Sequence, residues 1–153
     1  MLPYQGGGNM IQDVTFEKTL YQPAPNKFEV GTGNIADAVG LGAALDYVQK
    51  IGIKNIFQYE HYLLEYGIEA LKQVPGLKFV GNAKNRTSIL SFVIDGYTTE
   101  EVGNALKEEG IAVRAGHRCA QPILRRFGLE FAVRPSLVFY STTDELDKLA
   151  KIL

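Results

Sequence analysis

The order of secondary structure that the sequence predicts after Pro75-Gly76 constrains the fold more than any other feature. Thr98 with Glu101 and Thr142 with Glu145 form capping boxes, each of which predicts the start of a helix. The stretches rich in β-forming residues are 77–80, 87–94, 111–115 and a part of 131–140. In the last of these, Pro135 suggests an edge position or a bulge. With a short helix over 122–127, the order strand, strand, helix, strand, helix, strand, helix predicts an α+β unit with helices on one face of a small sheet.

The first half of the chain has a different pattern. Apolar spacing predicts helices over 35–51 and 55–74, with Gly52 as a stop between them. Residues 1–32 are irregular apart from a short strand at 10–14, and a stretch with so little internal pairing suggests a chain that lies on another surface. We therefore expect residues 1–34 to be the tail of one domain and residues 35–153 to be a second domain with its linking helix.

Composition excludes several classes of protein. Hydrophobic residues make up 46% of the 153 residues and the net charge is −1, which is ordinary for a soluble domain and gives no field for nucleic acid or an anionic membrane. No apolar run reaches membrane-spanning length and no signal peptide is visible, so we expect a cytoplasmic protein without membrane or nucleic-acid partners. One cysteine and two histidines do not form a zinc pattern, so we expect no metal site.

The charges are distributed unevenly around the single cysteine. Between positions 111 and 134 there are five arginines and one acid, a local charge of +4, and Cys119 lies inside this window. Cations and a helix start near Pro122 stabilise a thiolate, and Gly116 gives the loop freedom to present a side chain. A buried structural cysteine is the alternative, but its polar neighbours disfavour burial. We predict an exposed, reactive thiol.

For two other residues, Arg134 and Thr32, the sequence allows both a functional and a structural role. Arg134 could grip a carboxylate with two parallel hydrogen bonds, or it could form a surface ion pair. Thr32 lies between Gly31 and Gly33 before a predicted helix, a pattern that suits phosphate but also an ordinary turn with a helix cap. His117 is two residues from Cys119, and such close neighbours on an extended loop usually point apart, so we do not assign it as a catalytic base.

Four segments in order resemble one family. The loop Arg114-Ala115-Gly116-His117-Arg118-Cys119-Ala120-Gln121-Pro122 is similar to the active-site cysteine loop of class V aminotransferase-like cysteine desulfurases, in the Suf-type or group II branch that includes selenocysteine lyases. Residues 2–8 resemble the stretch after the family's cofactor lysine region, 28–34 its phosphate-contacting segment, and 134–137 its carboxylate-binding arginine. Arg118 stands where a histidine is frequent in the family, at a position that tolerates change.

The resemblance implies a fold and an activity. The fold would be the C-terminal small domain of a fold-type I transferase that uses pyridoxal 5'-phosphate, with part of the preceding large domain. The Cys119 thiolate would attack the sulfur of L-cysteine, or the selenium of L-selenocysteine, leaving L-alanine and a persulfide for iron-sulfur cluster assembly or another acceptor protein. Arg134 would bind the substrate carboxylate. The residues that would support the loop are Arg114, Gly116, His117, Arg118 and Gln121.

The resemblance also implies partners and an incomplete site. Thr32, with Gly31 and Gly33, would contact the cofactor phosphate of the neighbouring subunit in a homodimer. The family's Schiff-base lysine motif is absent, so we expect that this chain alone does not turn over cysteine. Two alternatives remain: a non-enzymatic thiol carrier that relays sulfur, and a class V transaminase fragment with an incidental cysteine, which the loop's charge disfavours.

Overall fold

The chain divides into two compact units in the computed structural model, which describes residues 1–117 and 119–153. The first unit is Met1–Lys50 and the second is Ile51–Leu153. The predicted division at residue 34 is not tested by these compact units and stays a prediction. No helix in the described parts of the chain is both long and apolar enough to cross a membrane.

The first unit contains a β-hairpin and most of a long helix. Strand β1 (Ile11–Val14), which was predicted, pairs antiparallel with β2 (Thr19–Tyr21), which was not. The hydroxyl of Thr15 accepts the backbone N–H of Lys18 at 3.2 Å and so closes the turn between them. Helix α1 (Ile35–Ile51) has the predicted bounds, and Gly52, with a φ of +93°, separates it from the next helix.

In its described residues, the second unit consists of a four-stranded sheet and four helices. Its strands are all antiparallel and lie in the order β3, β4, β6, β5. The strands are β3 (Leu77–Phe79), β4 (Phe92–Ile94), β5 (Arg114–Gly116) and β6 (Ala132–Arg134). The helices are α2 (Ile53–Leu71), α3 (Thr99–Glu108), α4 (Gln121–Arg126) and α5 (Thr143–Ile152). The predicted order of elements is therefore confirmed, with α2 starting two residues and ending three residues before its predicted bounds.

One face of the sheet carries the core beneath the three longer helices. Phe92 and Val133 are fully buried and meet across the β4–β6 ladder. Gly67 lets α2 pack closely against Leu90, because a Cβ at this position would lie 3.0 Å from a methyl group of Leu90. Tyr66 on α2 donates a hydrogen bond of 2.8 Å to Asp147 on α5, and this bond raises the pKa of Tyr66. Helices on one face were predicted for the unit that begins at residue 77; α3 and α5 follow that prediction, and the preceding helix α2 packs on the same face.

The short helix α4 lies against the other face. Its Leu124 is buried, and Ile123, Leu124 and Phe127 border a cavity whose sheet side includes Ala132 and Arg134. Because successive side chains of a strand point to opposite faces, Ala132 and Arg134 point away from the core residue Val133. The loop that carries Cys119 leads directly into α4. The candidate site therefore lies on the face of the sheet that α4 covers.

Two details of the predicted sheet were wrong, and both involve Pro135. An edge strand was one expectation for 131–140, but β6 lies between β4 and β5. The strand predicted over 87–94 is regular only from Phe92, although pairing in the same register continues where Leu90 N–H donates to the Pro135 carbonyl at 3.1 Å. Proline has no N–H to return, so the regular ladder ends there without a bulge.

Both predicted capping boxes are present, and they provide a stability test. Thr98→Ala or Thr142→Ala removes the hydroxyl that accepts the N–H of Glu101 or Glu145, which should lower the free energy of unfolding by about 1 kcal/mol in each case. Thr143→Ala is the matched control, because Thr143 is the first helical residue of α5 and makes no cap bond. Urea unfolding measures the three differences. Equal stability of the cap variants and the control would contradict this role.

The first capping box also makes stability depend on pH. The N–H and hydroxyl of Thr98 both donate to Glu101, which lowers the pKa of that carboxyl below 4.5 in the folded chain. The unfolded chain therefore binds the proton first, and this contribution is present above the unfolded pKa and lost as pH falls through the folded one. Glu101→Gln should consequently destabilise the chain at neutral pH and have a smaller effect in acid. Unfolding of Glu100→Gln, which leaves the cap intact, gives the comparison.

Candidate functional site

Cys119 lies on a four-residue connection between β5 and α4 and is exposed. Its φ is +60°, a left-handed conformation that is uncommon for residues other than glycine. The N–H of Ala120 donates to the carbonyl of His117 at 2.9 Å, which closes a turn with Cys119 inside it. Gly116 at the end of β5 has a φ of +116° and Gln121 begins α4. The exposed thiol predicted from the loop composition is therefore present.

His117 contacts the backbone of the cysteine rather than its sulfur. The Nδ1 atom of His117 accepts the N–H of Cys119 at 3.3 Å, and the ring centroid lies 6.1 Å from that of Phe131. This contact agrees with the expectation that His117 is not paired with the thiol as a base. The predicted support of the loop by His117 would act through this hydrogen bond to the backbone of Cys119.

The loop and Arg134 border the same cavity. His117 and Ala120, on either side of the cysteine, line a cavity of about 190 Å³ together with Arg134 from β6. Ile123 and Phe127 of α4 provide an apolar wall. Arg134 is half-buried, which strengthens its interaction with an anion relative to a fully exposed arginine. From the sequence, only the resemblance to a family suggested that these residues share a site. In the structure they line one cavity.

Only some of the arginines between positions 111 and 134 are free to stabilise the Cys119 thiolate. Arg125 donates to both carboxylate oxygens of Glu130, the shortest contact being 3.1 Å, so these two charges neutralise each other. Arg126 lies beside it in the last turn of α4. Arg114 is an exposed residue of β5. Arg118, also predicted to support the loop, lies outside the described residues.

Ser91 is a site residue that the sequence reading missed. It lines the same cavity as Arg134, and it precedes Phe92, the fully buried core residue of β4. Residues on either side of a core position point to the opposite face of the sheet, but the three apolar residues 92–94 hide any alternation in the sequence, so no local signal marked Ser91. The predicted strand over 87–94 contained Ser91, but no chemistry was assigned to it.

The segment predicted to contact phosphate belongs to the first unit. Gly31 has a φ of +74° and its N–H donates to the Gly8 carbonyl at 2.9 Å, while Thr32 is exposed and engages no partner in the described part of the chain. Asn34 caps α1 by accepting the N–H of Asp37 at 3.2 Å. The asparagine thus takes the capping role, and the Thr32 hydroxyl remains able to donate to an anion.

Comparison with known proteins identifies the same family over nearly the whole chain. The family model described as aminotransferase class-V matches residues 1–149. A cysteine desulfurase of Synechococcus elongatus is 66% identical over 149 residues, which are 97% of this chain and 24% of that protein. Probable cysteine desulfurase 1 of Mycobacterium leprae is 58% identical over 153 residues, 100% of this chain and 25% of that protein. The chain therefore spans about a quarter of the length of these two curated relatives.

Solved structures agree with the sequence relatives. The Escherichia coli cysteine desulfurase CsdA, in its S-sulfonic acid form, has a TM-score of 0.84 at 33% identity, over 98% of this chain and 37% of that one. The apo cysteine desulfurase of Thermococcus onnurineus NA1 has a TM-score of 0.86 at 30% identity, over 98% and 38%. These likenesses confirm the predicted fold class. The chain belongs to the class-V aminotransferase family, as a segment that fits the C-terminal part of its cysteine desulfurase members.

Proposed function

We propose that this chain is the part of a pyridoxal-phosphate-dependent cysteine desulfurase that supplies the sulfur-accepting thiol. Cys119 is the acceptor, and the substrate is L-cysteine or L-selenocysteine. The observation that carries the proposal is the position of an exposed thiol between two residues, His117 and Ala120, that share one cavity with Arg134. The names of the relatives that match nearly the whole chain support the same activity.

The thiol performs the sulfur transfer. The sulfur of Cys119, as thiolate, attacks the substrate sulfur, a new S–S bond forms, and the C–S bond of the substrate breaks with its electron pair going to carbon. Protonation of that carbon gives L-alanine, and Cys119 is left as a persulfide. No external oxidant or reductant is needed, because the substrate carbon takes the electron pair that the sulfur gives up on becoming part of the persulfide. Because the turn that His117 closes leaves Cys119 exposed, the loop can then present the persulfide outward.

Arg134 orients the substrate. Its guanidinium offers two parallel N–H donors to a carboxylate, which fixes both the position and the rotation of an amino acid. The rest of the cavity wall is largely apolar, with Ile123 and Phe127 on α4. A small sulfur-bearing side chain fits such a wall better than a charged one, since burying an unpaired charge there is costly.

The residues present fit the phosphate end of the cofactor. The exposed Thr32 hydroxyl, beside Gly31 in a left-handed conformation, would hold the phosphate through one side-chain bond and nearby backbone N–H groups. When bound, pyridoxal phosphate supplies an electron sink for the carbon that loses sulfur. The lysine that holds the cofactor ring in the family has no counterpart in this chain, so the remaining part of the protein would provide it.

The proposal extends to partners and location. A homodimer would bring the Gly31–Gly33 segment of one subunit to the cofactor of the other. A sulfur-acceptor protein would collect the persulfide for iron-sulfur cluster assembly or another use. A cytoplasmic location is part of the same proposal, because a thiol that must be regenerated in each cycle suits a reducing compartment.

A chimera with a full-length relative tests the activity. This chain would replace the matching segment of the Synechococcus elongatus cysteine desulfurase, which is 66% identical to it. We expect the chimera to release L-alanine from L-cysteine and to carry one extra sulfur atom on Cys119 by mass spectrometry. Cys119→Ser should abolish both, since no other cysteine lies in this segment. His61→Gln on α2 is the control and should leave both unchanged.

Two results of the chimera experiment would contradict the proposal. Full alanine release by the Cys119→Ser chimera would show that the thiol does not accept the sulfur. A persulfide found on a cysteine of the other segment instead would assign the acceptor elsewhere. Cofactor absorbance should be equal in all variants, which separates a chemical defect from a failure to fold.

The chain alone distinguishes the enzyme fragment from the thiol-carrier alternative. Mixed with pyridoxal phosphate and L-cysteine, the chain should give no absorbance of a lysine-bound cofactor and no alanine, because the cofactor lysine motif is absent. Mixed instead with an active desulfurase and L-cysteine, it should gain no sulfur by mass. A stable persulfide formed on Cys119 in this second mixture would favour the carrier function.

A further inference from the structure

Arg114 and Arg134 lie directly opposite each other across the β5–β6 ladder. Ala115 points toward α3, because a Cβ on Gly103 would lie 3.1 Å from the Ala115 Cβ. Its neighbour Arg114 therefore points to the other face of the sheet, where Arg134 borders the cavity. Directly opposed residues of antiparallel strands have Cβ atoms roughly 4.5–5.5 Å apart, so the stems of the two arginines start side by side.

Ser91, immediately before β4, extends the row formed by Arg114 and Arg134. Phe92 pairs with Val133, and the N–H of Leu90 donates to the carbonyl of Pro135, so Ser91 lies opposite Arg134 on the side away from Arg114. Ser91 and Arg134 both line the cavity of about 190 Å³. Three neighbouring strands thus place one serine and two arginines in one row, on the face that carries the Cys119 loop.

No acid in the described residues balances this row. Neither Arg114 nor Arg134 forms an ion pair or a hydrogen bond to a carboxylate within 1–117 and 119–153. Glu130, the only acid between positions 111 and 134, is occupied by Arg125. Like charges directly opposite each other destabilise a sheet, so this arrangement opposes folding unless an anion lies between the two groups.

We infer that Arg114 and Arg134 form a single site that holds one carboxylate, the carboxylate of the amino-acid substrate. The inference rests on the proposed function, and it assigns Arg114 to substrate positioning rather than to support of the loop alone. Each guanidinium presents a planar fork of donors that matches the two oxygens of a carboxylate. The hydroxyl of Ser91 adds a third donor at the cavity end of the row.

Nuclear magnetic resonance of the labelled chain tests the shared site. The Nε–H signals of the arginines would be followed while sodium acetate, the carboxylate probe, is added, with sodium chloride at equal ionic strength as reference. We expect the Arg114 and Arg134 signals to shift along one binding curve. Arg114→Gln should weaken acetate binding at Arg134 roughly tenfold, as expected for losing a charged hydrogen-bonding partner. Arg126→Gln on α4 is the matched control and should change nothing.

Further variants separate a shared site from a structural effect. Arg114→Lys keeps the charge but loses the fork, so its affinity for acetate should lie between those of the wild type and Arg114→Gln. At low salt Arg114→Gln should raise the urea midpoint of unfolding, because it removes the like-charge contact. Acetate should raise the midpoint of the wild type more than it raises the midpoint of Arg114→Gln. In the chimera, Arg114→Gln should raise KM for L-cysteine more than it lowers kcat.

The outcomes distinguish this inference from the proposed function. If Arg134 binds acetate equally well in the wild type and in Arg114→Gln, the shared site is overturned, while sulfur transfer to Cys119 stands. If acetate shifts neither signal beyond the chloride reference, the site is also overturned. Loss of the persulfide in the Cys119→Ser chimera is independent of both results, so a failure of the desulfurase proposal would be seen separately.

Discussion

The alternation of side chains along β6 determines which residues reach the candidate site. Val133 is fully buried and pairs with Phe92 on one side and Ala115 on the other, which fixes the register of the three strands. A shift by one residue would move Val133 to the face that carries α4 and Arg134 into an apolar core, where an unpaired charge is costly. The core under α2, α3 and α5 therefore holds Arg134 in place without touching its guanidinium.

The same register explains the position of the thiol. Gly116 pairs with Ala132, the neighbour of Val133, and β5 ends at that pair. Only four residues separate β5 from α4, and the hydrogen bonds made by His117 close the turn around Cys119. A connection this short leaves the cysteine few positions once both its ends are fixed, one by the sheet and the other by the burial of Leu124. Strand pairing thus positions the nucleophile and the arginine together.

The sequence predicted the elements better than it predicted their pairing. The capping boxes at Thr98 and Thr142 depend on residues three positions apart, so they could be identified locally, and both are present. The position of β6 inside the sheet depends on partners at distant positions, such as Phe92 with Val133, and no local pattern contains that information. Pro135 favoured an edge strand because a proline breaks a ladder, but the strand ends immediately before it.

The candidate site was likewise predictable in its parts and not in its arrangement. A single cysteine among arginines indicated an exposed, reactive thiol; its exposure is observed, and its reactivity stays a prediction. Counting charges along the chain could not show that Glu130 neutralises Arg125, nor that Arg114 and Arg134 lie side by side. A local charge of +4 therefore overstated the general field around the thiol and concealed a more specific feature. Two of those charges are concentrated on one row of the sheet, where a fixed pair of donors selects a planar anion more strongly than a diffuse field could.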